Sequence, residues 1–70
     1  MQEGKTEFVW LAEALYDGAP SGNYIPSNGQ TSLTASPWEA RRFGTRGECE
    51  AFIATQISPH LLKAVEHGFG

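Results

Sequence analysis

Nucleophilic chemistry in this chain would rest on one thiol. Cys49 is the only cysteine, and His60 and His67 are the only histidines available to act as its base. Near the start of a helix, the helix dipole would lower its pKa. The same residue falls on an apolar stripe, where cysteine packs as a small hydrophobe. The stripe, and a chain too short to enclose much of a cleft, favour the structural role. His60, Glu66 and His67 are the nearest thing to a metal set. On a strand, neighbouring Glu66 and His67 point to opposite faces, and neither histidine has the spacing of zinc ligands. The expectation is a protein with no catalytic residue, metal or cofactor.

The second group with chemical potential is basic and aromatic. Arg41, Arg42 and Arg46 lie beside Trp38 and Phe43. On a helix, Trp38 and Arg42 at i, i+4 would stack as a cation–π pair. Such a patch suits a phosphate, or an acidic group on a protein. The bland alternative is a solvated helix end whose arginines complement the dipole, and a net charge of −3 favours it over nucleic-acid binding. Gly44-Thr45-Arg46-Gly47 lacks the frame of a phosphate loop and reads as a tight turn between two capped helices.

Something must position these groups, and the chain is short. Seventy residues make one domain, spanning 1–70, with 40% hydrophobic content. Folding buries only about 60% of the unfolded area in a domain of this size. With one cysteine there is no internal disulfide to help. A pI near 5.1 argues against anionic membranes and nucleic acid as general partners. The N-terminal stretch has no basic region followed by an apolar one, and the longest apolar run, Phe8 to Ala12, is too short for a bilayer. A cytoplasmic protein is expected.

Helix signals dominate the second half. Ser36-Pro37-Trp38-Glu39 and Thr45-Arg46-Gly47-Glu48 are both capping boxes. The first predicts a helix from Pro37 to Phe43 closed by Gly44. The second predicts one from Arg46 to Gln56, with Cys49, Phe52, Ile53 and Gln56 or Ile57 on its apolar side. Ser58-Pro59 stops it. Leu61 to Phe69 reads as a strand, with a helix from Pro59 to His67 as the competitor.

The first half is less decided. Phe8, Val9 and Trp10 favour a strand over Glu7–Tyr16, with a helix capped by Thr6 as the rival. Asp17 to Gly22 reads as a loop, Asn23–Ile25 as a short strand, Asn28-Gly29 as a turn, and Thr31–Thr34 as a further strand. The sum is an α+β fold: a small antiparallel sheet of three to four strands with two short helices on one face. The sequence places Val9, Leu11 and Leu15 under those helices. Glu13 shares their side and needs the rim or a bulge.

From Tyr24 to Phe69 the chain resembles small proteins of bacteriophages and mobile elements. The resemblance rests on Ala40 and Phe43, on Thr45 and Glu48, on Phe52 and Ile53, and on the Glu66-His67-Gly68-Phe69 ending. It implies a cytoplasmic anti-defence protein in a bacterial host cell, of the anti-CRISPR kind, acting on a host protein complex such as CRISPR-Cas components.

The residues themselves point to binding. If β-structure holds at Glu7–Tyr16, the rings of Phe8, Trp10 and Tyr16 have little sequence left to cover them. A central strand half covered by the hairpin is the other arrangement that fits. The expected protein-binding residues are Trp10, Tyr16, Tyr24 and Trp38 as anchors. Asp17, Arg41, Arg42 and Arg46 supply steering charges. A nucleic-acid-associated protein and a structural homodimer are the alternatives.

Overall fold

In the computed structural model, which describes residues 7–27 and 32–69, three strands form one antiparallel sheet. They are β1 (Glu7–Tyr16), β2 (Ala19–Tyr24) and β3 (Leu62–Phe69), with β1 in the centre between β2 and β3. One helix, α1 (Arg46–Ala54), and two 3-10 turns, Pro37–Glu39 and Pro59–Leu61, complete the α+β arrangement.

The strand reading of Glu7–Tyr16 holds. Its aromatic and β-branched start suits a pleated surface, and β1 pairs with β3 in unbroken register from Glu7↔Phe69 to Ala14↔Leu62. The helical alternatives for β1 and for the C-terminal segment do not form. The loop expected from Asp17 to Gly22 is corrected to a hairpin turn and most of a strand. Asp17 (φ 55°) and Gly18 (φ 80°) both take positive φ, the signature of a two-residue type I′ turn, and Tyr16 pairs with Ala19 directly across it. Pro20 has no N–H to donate, which an edge strand tolerates.

The bulge that Glu13 calls for lies opposite it. Pairing shifts from Leu15↔Pro20 to Glu13↔Tyr24, so extra residues of β2 bow out across from Ala14. Gly22 takes φ 80° there. Its N–H donates to Glu13 Oε2 at 2.8 Å, while Ser21 Oγ donates to the Ala14 carbonyl at 2.7 Å. A carboxylate that is 8% exposed thereby keeps a hydrogen bond.

The two capping boxes behave differently. Thr45 caps α1 as expected, its Oγ1 accepting from the Glu48 N–H at 3.1 Å. The return arm lands one residue early, with Gly44 N–H donating to Glu48 Oε1 at 3.2 Å. The helix expected from Pro37 to Phe43 is corrected to a single 3-10 turn followed by extended chain, with Ala40 at φ −76°, ψ 151°. Ser36 makes no side-chain cap, and Glu39 Oε1 accepts from Thr34 Oγ1 instead. The physical reason is competition from distant backbone. Arg41 N–H donates to the Ile25 carbonyl at 2.8 Å, and Phe43 exchanges bonds of 2.8 and 2.9 Å with Trp10. Of the expected strand Thr31–Thr34, the described part, 32–34, makes one bridge, Tyr24↔Thr34; Thr31 and the Asn28-Gly29 turn lie outside the described residues.

The faces of β1 are exchanged relative to expectation. Ala12 forms the buried core with Cys49 and Ile53, and Trp10, Phe43, Phe52, Leu62 and Ala64 pack around it. The helix therefore covers the Trp10–Ala12–Ala14 side. Small residues at Ala12, Ala14 and Ala64 let it lie close to the sheet, which the bulkier opposite side does not. Leu11, 0% exposed, is buried on that opposite side, where Val65 and Phe69 also point by register.

Candidate functional site: two surfaces at opposite ends of the sheet

Alternation along the extended stretch after the 3-10 turn separates the neighbouring arginines. Arg41 turns to the helix side, its guanidinium 4.9 Å from the Phe52 ring centre and 5.6 Å from that of Phe43. Arg42 turns to the other side, 4.3 Å from Phe69 and 5.6 Å from Trp38. Arg46 lies 5.9 Å from the Trp10 ring and pairs with Glu50 at 2.9 Å. The expected basic patch is thus divided, with Arg41 and Arg46 over rings on the helix side and Arg42 over rings on the other. The Trp38–Arg42 stack expected from helical spacing is present, although the backbone joining them is not helical.

The aromatic anchors divide as well. Trp38 is 64% exposed and leans on Phe69, ring centres 4.4 Å apart. Phe69 is only 8% exposed and also contacts the His67 ring at 4.6 Å. Phe69 pairs with Glu7, at the start of β1. Tyr16 (78% exposed) and Asp17 sit at the hairpin turn, at the far end of that strand. At about 3.3 Å per residue the two ends are roughly 30 Å apart. Trp10 and Tyr24 are half-buried: Trp10 belongs to the core surround, and Tyr24 pairs with Glu13 and Thr34. The eight expected residues therefore do not form one patch.

Near the hairpin end the structure adds a surface that sequence reasoning missed. Ala14, Leu15, Leu33, Ile57, Leu61 and Leu62 line an apolar groove of about 390 Å³. Ile57 enters it because α1 ends at Ala54, where Thr55 Oγ1 donates to the Phe52 carbonyl at 2.6 Å. Ile57 thus leaves the buried stripe and is fully exposed. The Ser58-Pro59 stop was the available signal that the stripe would end before it.

Cys49 is fully enclosed. Burial first, and the Glu50 charge second, push its thiol up to about 11. His67 stacks on Phe69 on the other side of the sheet, so it does not face the thiol. Among the described residues, no group of three His, Cys, Asp or Glu side chains is placed to hold a metal ion, and no helix is long and apolar enough to cross a membrane.

No protein-family model matches the chain, and no curated protein or solved structure matches it.

Proposed function

We propose that the chain is a small protein-binding module, an inhibitor carried by a phage or mobile element that blocks a host defence complex by occupying its surface. A CRISPR-Cas effector is the target class this reading names. The observation that supports it is a shortage of cover. Phe8, Tyr16 and Trp38 are 60%, 78% and 64% exposed. Large rings open to solvent serve as anchors in interfaces, and Trp38 is held in place by Phe69. Inhibition by occlusion needs binding alone, and the one thiol is buried and kept protonated. A nucleic-acid role is disfavoured because Arg41 and Arg42 diverge and Arg46 is paired.

The test is capture from bacterial lysates containing CRISPR-Cas effectors, followed by a cleavage assay with the captured effector. The expected result is stoichiometric inhibition, weakened by Trp38→Ala or Tyr16→Ala. Absence of both capture and inhibition overturns the reading. A micromolar dimer in analytical ultracentrifugation would instead assign the exposed rings to a second copy.

A further inference from the structure

We infer that Arg42, held against the paired rings of Phe69 and Trp38, is a receptor for a carboxylate presented by a protein partner. The inference rests on the protein-binding reading and names the chemistry the partner must bring to this end of the sheet.

The cluster is built from the interior outward. Phe69 is buried at 8% exposure and fixed by its pairing with Glu7 on β1. Its ring carries Arg42 at 4.3 Å and Trp38 at 4.4 Å. Arg42 is exposed and also lies 5.6 Å from the Trp38 ring, so two rings restrict where its guanidinium sits. A guanidinium held against rings keeps the N–H donors around its own plane available, and their fork matches the two oxygens of a carboxylate.

Those donors meet no acceptor among the described residues. Among the described residues, Arg42 makes neither an ion pair nor a hydrogen bond; the ion pair present is Arg46 with Glu50. Glu7 is the carboxylate nearest in register, opposite Phe69, and it forms no ion pair with Arg42. In a chain of net charge −3, an unmatched cation restrained by two aromatic rings is complementary to an acid from outside. The exposed Trp38 ring beside it offers an apolar wall, so an acidic side chain flanked by aliphatic residues fits best.

The alternative polyanion, a nucleic-acid backbone, needs a row of cations along one track. Among the described arginines Arg42 stands alone here, since Arg41 faces the helix side over Phe52 and Arg46 is engaged by Glu50.

The test is a nuclear magnetic resonance titration of the whole chain, reading the Arg42 Nε–H and Trp38 Nε1–H signals. The probes are the blocked peptide acetyl-Leu-Asp-Leu-amide, its Asn counterpart, and an oligothymidine. The acidic peptide should move both signals and the Asn peptide neither. Arg42→Gln should weaken the acidic peptide about tenfold or more, while Arg41→Gln leaves it within about twofold. An equal response to the Asn peptide, an unmoved Arg42 signal, or tighter binding of oligothymidine overturns the inference. The wild-type titration decides even if a variant is poorly folded. Partner capture by wild type and Arg42→Gln alike would sink this inference and leave the module reading standing. A positive titration with no capture by either protein would sink the module reading, and with it the protein partner, while Arg42 keeps its carboxylate chemistry.

Discussion

The two sides of β1 solve the same covering problem with different materials. On one side a nine-residue helix seals Ala12 beneath Cys49 and Ile53, and the nearby Trp10 is drawn partly inside. On the other side no helix lies among the described residues. The extended segment up to Phe43 pairs edge to edge with Trp10, and the 3-10 turn before it supplies Trp38, which stays 64% exposed while it shields Phe69. A helix brings a broad apolar stripe and absorbs what it covers. Such a thin cover leaves its own bulky residue, Trp38, facing water, although Leu11 is buried on the same side. The exposed rings are therefore Trp38 on the helix-free side and Phe8 and Tyr16 toward the two ends of β1.

Four measurements break or sharpen that contrast. The largest effect should come from Leu11→Ala, which is expected to cost about 2–5 kcal/mol in urea denaturation if the thin cover packs as tightly as a core. A loss under about 1 kcal/mol would show that the helix-free side is loosely closed. The next effect belongs to the helix side and depends on pH. The folded Cys49 thiol holds its proton up to about 11, against an ordinary value of 9.0. Its contribution to stability is therefore complete below pH 9 and lost as pH rises toward 11. Urea midpoints should fall more steeply across that window in the wild type than in Cys49→Ala, and parallel curves would refute it. Thr45→Ala removes the α1 cap and should cost about 1 kcal/mol, read from the same midpoints. Ile57→Ser, at a fully exposed position, should change stability by less than about 0.5 kcal/mol; a larger loss would mean that the groove is part of the core.

What the sequence discloses follows the reach of each signal. β1, α1 and β3 are visible because alternation, a cap and an apolar stripe are local. Ser36-Pro37-Trp38-Glu39 carries the same opening signal as Thr45-Arg46-Gly47-Glu48, yet only the second propagates. After Glu48 come Cys49, Phe52 and Ile53 to pin a helix to the sheet. After Glu39 come Arg41 and Arg42, and the backbone bonds offered by Ile25 and Trp10 prevail. The alternation of β1 was readable, but both sides are apolar, so which one meets the helix was decided by the bulk of residues on β3. Asp17-Gly18 was a hairpin signal hidden among other loop formers. The Trp38–Arg42 pairing was legible from spacing. Phe69, its floor, was not, because only folding brings the chain's last residues beneath it. The groove of Leu33, Ile57 and Leu61 joins segments that no local pattern connects.

The bond from Gly22 to Glu13 has a consequence for the hairpin's length. It fixes how many residues β2 needs between Pro20 and Tyr24 to rejoin its neighbour. Deleting Gly22 would take away the buried Glu13 carboxyl's partner and reverse the direction of every later side chain in β2. The hairpin is thus measured from its middle by a single acid, and its tip is freer to change than its waist.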